Sequence, residues 1–166
     1  MDCRFLELFL PDNTDTQKLG YLLGKHLTPG SVILLQGDLG SGKTTLIQGL
    51  GQSLGISEPI ASPTFTLINE YTDINLPLYH LDLYRLTSEQ VSSNLYPEIY
   101  WEGIEVEPGI TAIEWAERLL YKPDNYLDIK LAHTAKKGRQ ATLSVVGEND
   151  LNLDFLECLV ALNSQQ

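Results

Sequence analysis

One nine-residue stretch, GDLGSGKTT at 37–45, restricts what this chain can fold into more than any other part of its sequence. The apolar run SVILLQ (31–36) precedes it, with the continuous hydrophobicity of a strand that is buried on both faces. Leucine and isoleucine side chains follow it with helical spacing, at positions 46, 47, 50 and 54. A glycine-rich turn between a buried strand and a helix is typical of an α/β fold with a parallel sheet.

The turn matches the phosphate-binding pattern Gly-x-x-x-x-Gly-Lys-Thr, from Gly37 to Thr44. Its glycines allow backbone N–H groups to point at phosphate oxygens, and the helix predicted to begin at Lys43 adds the positive end of its dipole. The Lys43 ammonium suits the β- and γ-phosphates, and the Thr44 hydroxyl suits Mg²⁺. An Asn-Lys-x-Asp guanine-binding motif is absent from the sequence, which favours ATP over GTP.

The remaining pattern predicts a single domain over residues 1–166, without repeats or a linker. Strands are predicted at 4–10, 31–36, 76–86 and 111–115, followed by a hairpin of 127–134 with 140–147. Helices are predicted after the first two strands, and a last helix is predicted to begin near Asn149 and Asp150. We therefore expect a P-loop NTPase-like three-layer α/β sandwich, with a mostly parallel sheet and an antiparallel C-terminal hairpin.

Two carboxylates are candidates for work near a nucleotide-bound metal, because that chemistry needs an acid at the end of a neighbouring strand. Glu114 ends the apolar run TAI, and Asp82 lies on one side of the alternating strand YHLDLYR. Each has a plainer interpretation. Glu114 could be a surface acid at the start of a helix, and Asp82 could form a salt bridge with Arg85 or another base.

The segment SPTFTLINEY (62–71) combines a rigid Pro63 with the hydroxyls of Thr64 and Thr66. A switch that senses phosphate or metal needs such a hydroxyl on a movable loop, although the segment could equally be a turn that enters a strand. Trp115 could belong to the core or could stack on or anchor a partner. His80 fits a structural, hydrogen-bonded histidine better than a catalyst.

The formal net charge is −11, from 22 acidic and 11 basic residues. A protein that grips nucleic acid unaided needs a basic surface, so direct RNA binding is disfavoured. No lysine or arginine lies between Arg85 and Arg118, whereas seven glutamates do. This run could be a solvated face or a surface that docks on a basic partner.

No apolar stretch is long enough to span a membrane, and the N-terminal residues MDCRFLELF lack the features of a signal peptide. The two cysteines, Cys3 and Cys158, lie far apart in the sequence and fit free thiols in a reducing compartment. We therefore expect a cytoplasmic protein that has no contact with membrane.

Four segments together resemble the TsaE family of small bacterial P-loop ATPases. They are GDLGSGKTT at 37–45, SPTFTL at 62–67, HLDLYRL at 80–86 and IEW at 113–115. The resemblance implies an Mg²⁺- and ATP-binding protein with weak ATPase activity. Such proteins act with TsaB and TsaD in making N6-threonylcarbamoyladenosine at position 37 of tRNA, and the tRNA is reached only through that complex.

The resemblance also implies residue roles. Lys43, Asp82, Glu114 and Thr64 would serve catalysis, and Thr44, Glu114 and Asp82 would lie at the metal. The nucleotide would contact a larger set: Gly37, Asp38, Leu39, Gly40, Ser41, Gly42, Lys43, Thr44, Thr45, Thr16 and Trp115.

Residues 87–110 depart from the family pattern, because this segment is aromatic and acidic here. Two other functions remain open from the sequence. One is a nucleotide-gated binding module that does not require hydrolysis, and the other is a small-molecule P-loop kinase. The kinase is disfavoured by the scarcity of arginines between the loop and the hairpin, where only Arg85 and Arg118 occur.

Overall fold

The computed structural model of the chain describes residues 3–163. The seven strands are β1 (Phe5–Leu10), β2 (Val32–Gln36), β3 (Ile68–Tyr71), β4 (Leu78–Asp82), β5 (Ile110–Glu114), β6 (Tyr126–His133) and β7 (Arg139–Val146). The helices are α1 (Asn13–His26), α2 (Lys43–Ser53), α3 (Ser88–Gln90), α4 (Glu98–Glu102) and α5 (Glu157–Asn163). Residues 91–95 form a short π-helix, and 116–118 and 153–156 form 3₁₀ turns.

The strands form one mixed sheet in the order β1-β7-β6-β2-β5-β4-β3. The four central strands, β6, β2, β5 and β4, are parallel to one another. On one side β3 pairs antiparallel with β4. On the other, β7 pairs antiparallel with β6, and β1 pairs antiparallel with β7. The predicted α/β sheet with an antiparallel C-terminal hairpin is confirmed. The parallel strands bring their carboxyl ends to one edge, where ligands bind in open α/β sheets.

Helices α1 and α2 cover one face of the sheet. Their apolar residues Leu19, Leu23, Leu46 and Leu50 are fully buried in the larger of two core clusters. Helix α1 begins after Asp12, whose side chain accepts a hydrogen bond from the Asp15 N–H at 3.0 Å and so caps the helix.

The backbones of α1 and α2 touch at glycines. A Cβ atom on Gly49 would lie 1.9 Å from the Gln17 carbonyl oxygen, and one on Gly20 would lie 1.9 Å from that of Leu46. Gly51 on the same helix is crowded too, by the Ile60 side chain. The distance between the two helices is therefore set by these glycine contacts. The first turn of α2 contains phosphate-loop residues, so this distance also places the loop.

The unusual segment 87–110 builds much of the layer on the opposite face. Val91 is buried there, and Tyr100, Trp101 and Val106 pack against the second core cluster, around Tyr79. The Tyr100 hydroxyl donates to Glu70 at 2.9 Å. Burial and this carboxylate raise the pKa of Tyr100 to about 12. The departure from the family pattern thus lies in a packing layer rather than in the phosphate loop.

Two predicted boundaries are wrong. The strand expected over 76–86 ends at Asp82, because the Asp82 carboxylate accepts the Tyr84 N–H at 2.9 Å and turns the chain. Tyr84, which continues the alternating sequence pattern past Asp82, lies in a turn and not in the strand. The last helix was expected near Asn149, but its first turn begins at Leu153, where the Asn152 side chain supplies the cap.

The residues that the structure describes include no helix long and apolar enough to cross a membrane. Cys3 and Cys158 are free thiols, as expected.

Candidate functional site

The phosphate loop joins the carboxyl end of β2 to the first turn of α2, as predicted. Gly37, Gly40 and Gly42 all have positive φ, at 151°, 75° and 107°, which other residues adopt only with strain. A Cβ on Gly37 would also lie 2.5 Å from the Leu131 carbonyl oxygen. The other predicted loop residues surround this turn: Asp38, Leu39 and Gly40 are exposed, Ser41 is buried, and Thr44 and Thr45 are half-buried.

Lys43 is only 5% exposed and points back into its own loop. Its ammonium donates to the carbonyl oxygens of Gly37 and Asp38 (3.0 Å for the latter) and lies 4.4 Å from the centre of the Trp115 ring. Burial lowers the pKa of Lys43 below its usual value, and nearby carboxylates, Glu114 foremost, oppose that shift. An ammonium whose partners are neutral carbonyl oxygens and an aromatic face is suited to an anionic ligand, because ionised acceptors form stronger hydrogen bonds with it.

Asp82 and Glu114 lie side by side at the carboxyl ends of β4 and β5, where their Cα atoms are directly paired. Both are 3% exposed. The interpretation of Glu114 as a surface acid is therefore wrong. The alternative of a salt bridge from Asp82 to Arg85 or another base is wrong too: the ion pair found among residues 3–163 is His80–Glu114, and the Arg85 guanidinium lies over the exposed Phe65 ring at 4.6 Å.

The two oxygens of Glu114 have different partners. Oε1 accepts a hydrogen bond from the Thr44 hydroxyl at 2.9 Å, and Oε2 accepts one from His80 Nε2 at 2.6 Å. The hydrogen bond between Thr44 and Glu114 joins the first turn of α2 to the end of β5. His80 is thus a structural, hydrogen-bonded histidine, but its partner is a carboxylate of the site itself.

Asp82 is bound by the loop that follows α2. Its Oδ2 accepts hydrogen bonds from the hydroxyls of Ser62, at 2.5 Å, and Thr64, at 3.2 Å. The predicted Thr64 therefore contacts a predicted carboxylate, although the two are far apart in the sequence. Ser62 was not predicted as a site residue, and its place at the head of the SPTFTL segment is the signal that could have found it.

Trp115 follows Glu114 and has a left-handed backbone, with φ at 58°, which is rare for a bulky residue and concentrates at functional sites. Its ring contacts both the Lys43 ammonium and the Tyr84 ring, whose centre is 4.9 Å away. The half-buried ring also packs against the second core cluster. Of the two uses considered from the sequence, core packing therefore occurs, and the ring also lies beside the phosphate-loop lysine.

Thr16 is buried in the first turns of α1, and Arg139 donates a hydrogen bond to its hydroxyl at 3.0 Å. The same guanidinium lies 3.0 Å from the position that a Cβ on Gly42 would take. Arg139 was missed as a site residue. Its position just after the β6–β7 turn could have indicated it, because β6 runs parallel to β2 and ends at the same edge.

The oxygen donors at this edge fit Mg²⁺. Among residues 3–163, no group of three or more histidine, cysteine or acidic side chains is arranged to hold a metal by itself. Mg²⁺ that accompanies a nucleotide needs less, because phosphate oxygens and water supply most of its ligands. The Thr44 hydroxyl and the carboxylates of Glu114 and Asp82 are oxygen ligands of the kind that could complete such a site.

Comparison with known proteins places this geometry in a family. The family model described as threonylcarbamoyl adenosine biosynthesis protein TsaE matches residues 10–141. A TsaE from Nostoc sp. is 61% identical over 83% of this chain and 85% of its own length. A TsaE from Bacillus subtilis is 38% identical over 80% and 81%. Both are named tRNA threonylcarbamoyladenosine biosynthesis proteins.

Among solved structures, Bacillus subtilis YdiB has the same fold. It superposes with a TM-score of 0.73, is 31% identical and matches 96% of each chain. The family model and these relatives cover the phosphate loop, both carboxylates and the 62–67 segment. The chain belongs to the TsaE family.

Proposed function

We propose that this chain binds ATP with Mg²⁺, hydrolyses it slowly, and acts in making threonylcarbamoyladenosine at position 37 of tRNA. The names of its relatives support the pathway. One observation supports the nucleotide chemistry above all: the Thr44 hydroxyl at the start of α2 bonds Glu114, which is paired with Asp82 on the next strand.

The proposed division of labour follows from these contacts. The loop N–H groups and the Lys43 ammonium would hold the phosphates, and Thr44, Glu114 and Asp82 would hold the metal. When bound, the metal would supply positive charge to the phosphate oxygens. The Asp82 carboxylate, linked to the loop through Thr64, orients the attacking water.

TsaB and TsaD homologues are the proposed partners, and they bring the tRNA. The charge of this chain supports that arrangement, since a net charge of −11 repels an RNA backbone. The acidic residues Glu89, Glu102, Glu105 and Glu107 are exposed, which leaves them available to a basic partner surface. We place this activity in the cytoplasm.

A second function is supported by the contact between Asp82 and residues 62–64. A loop tied to a site carboxylate can release it when a nucleotide arrives, as a nucleotide-gated binding module requires. A P-loop kinase has less support, because the Arg118 guanidinium is already bound by the carbonyl oxygens of Tyr84 and Leu86.

The first test is phosphate release from ATP by the purified chain, alone and with a TsaB–TsaD pair. Slow release that rises with the pair is expected, with little release from GTP. Phosphate release that does not change when the TsaB–TsaD pair is added, or that is faster from GTP than from ATP, would contradict the proposal. The kinase would then be the function to test next.

Replacing Lys43 should remove most nucleotide binding. Charge-assisted hydrogen bonds are worth about 1.5–3 kcal/mol, so Lys43→Ala is expected to weaken ATP affinity by about ten- to a hundredfold and to abolish release. Titration with a fluorescent ATP analogue measures the affinity. Lys18→Ala, which changes an exposed lysine on α1, should bind as the natural protein does. Equal losses in both variants would exclude a specific role for Lys43.

A further inference from the structure

His80 contacts the candidate site from the middle of strand β4. The residue is fully buried and lies on the face of the sheet that α2 covers, two positions before Asp82. Its strand partner is Ala112, so the imidazole reaches diagonally to Glu114, two residues further along β5. The Nε2 to Oε2 distance is 2.6 Å.

The other ring nitrogen has no such contact. Nδ1 of His80 and the Thr111 hydroxyl are the two buried side-chain atoms without a hydrogen-bond partner among residues 3–163. Buried polar atoms are nearly always paired, so an unpaired one needs a reason. Because the carboxylate can only accept, the imidazole proton lies on Nε2 and is donated to Glu114.

The hydrogen bond from His80 leaves the two oxygens of the Glu114 carboxylate with different roles. With Oε2 held by His80, Oε1 is turned toward the Thr44 hydroxyl, 2.9 Å away. A glutamate side chain has several rotatable bonds, and without a fixed partner it would sample orientations that turn both oxygens away from Thr44. The packing around β4 holds the imidazole, and the imidazole holds the carboxylate.

We propose that His80 is a positioning residue for the metal of the nucleotide site. It acts through Glu114, by holding the oxygen that faces Thr44 in the orientation Mg²⁺ requires. The inference rests on the proposed function. Partners of this kind typically change metal affinity by about 10- to 100-fold when they are removed, while leaving the remaining ligands in place.

Two amide variants separate positioning from packing. In His80→Gln the amide nitrogen lies near the position of Nε2 and can still donate to Glu114. In His80→Asn it lies near Nδ1 and cannot reach. The probe is fluorescent ADP, titrated first in EDTA and then with MgCl₂. We expect His80→Asn to raise the Mg²⁺ concentration for half-maximal effect by about 10- to 100-fold, with affinity in EDTA unchanged and His80→Gln close to the natural protein.

Thr111→Val is the matched control, because it alters the other unpaired buried atom on the opposite face of β5. It should titrate with Mg²⁺ like the natural protein. If His80→Asn, His80→Gln and the natural protein share one Mg²⁺ midpoint, the inference is overturned. If the natural protein itself shows no Mg²⁺ dependence, the proposed function fails instead.

A spectroscopic measurement on the natural protein covers the case in which a His80 variant does not fold. The chain has three histidines, so the ring nitrogens can be assigned by nitrogen-15 NMR. A slowly exchanging proton on Nε2 of His80, retained when MgCl₂ and ADP are added, is expected. A proton on Nδ1, or loss of the Nε2 proton from its bond on loading, would overturn the inference.

Discussion

An Asp82→Asn variant is expected to bind ATP within a few-fold of the natural affinity and to hydrolyse it at least about a hundredfold more slowly. The amide has the shape of the carboxylate and can still accept the Tyr84 N–H, so the turn after β4 should persist. It cannot take up a proton or orient water as an anion does, and such groups contribute about 10²- to 10⁴-fold. Phosphate release and fluorescent-nucleotide binding measure the two effects separately.

Asp73→Asn makes the same chemical change at an exposed position in the turn between β3 and β4, at the other edge of the sheet. It should leave both measurements unchanged. Turnover by Asp82→Asn at the natural rate would remove Asp82 from the catalytic set. Loss of binding as large as the loss of turnover would make it a nucleotide or metal ligand only.

The same variant distinguishes the two functions supported above. One round of tRNA modification, with the TsaB–TsaD pair in excess over tRNA, requires hydrolysis if the chain is an obligatory ATPase. A nucleotide-gated module would complete that round with Asp82→Asn and fail only over repeated rounds. The Ser62 and Thr64 contacts with Asp82 are the link that such gating would break.

The parts of the site that are close in sequence were predictable. The strand, loop and α2 form one local unit, and the glycine, lysine and threonine spacing is set by phosphate geometry. Glu114 was predictable because it ends an apolar strand, and Asp82 was predictable because it lies on one side of an alternating strand, although the end of that strand at Asp82 was missed. Their direct pairing follows from the order β5-β4, which depends on contacts between distant segments and left no signal in either strand alone.

The hydrogen bonds that position the side chains of the site were not predictable either, because they also depend on which distant segments become neighbours. His80 reaches Glu114 on the neighbouring strand, and Arg139 reaches Thr16 because β7 pairs with β1, which leads into α1. The helices of segment 87–110 were not predicted, because they are only three to five residues long and too short to show a helical period. The spacing of apolar residues predicts helices and strands well, but it does not predict which side chains meet between neighbouring strands.

The contact between α1 and α2 gives the other large expected effect, on stability. In Gly49→Ala the new methyl group would lie 1.9 Å from the Gln17 carbonyl oxygen, so the two helix backbones must separate. Alanine favours a helix by about 1 kcal/mol over glycine, but overpacking between backbones costs more. We expect a net loss of about 3 kcal/mol in the free energy of unfolding, which lowers Tm by about 6–12 °C. Thermal and urea unfolding measure it.

Gln52→Ala places the same side chain at an exposed position of α2 and should change Tm little. The distinction matters for function, because α2 begins with Lys43 and Thr44 and its position against α1 sets their distance from Glu114. Gly49→Ala should therefore weaken nucleotide binding even below its reduced Tm, whereas Gln52→Ala should not. A Gly49→Ala protein as stable as the natural one would show that the helices can separate without cost, and the close glycine contact would then have no role in placing the site.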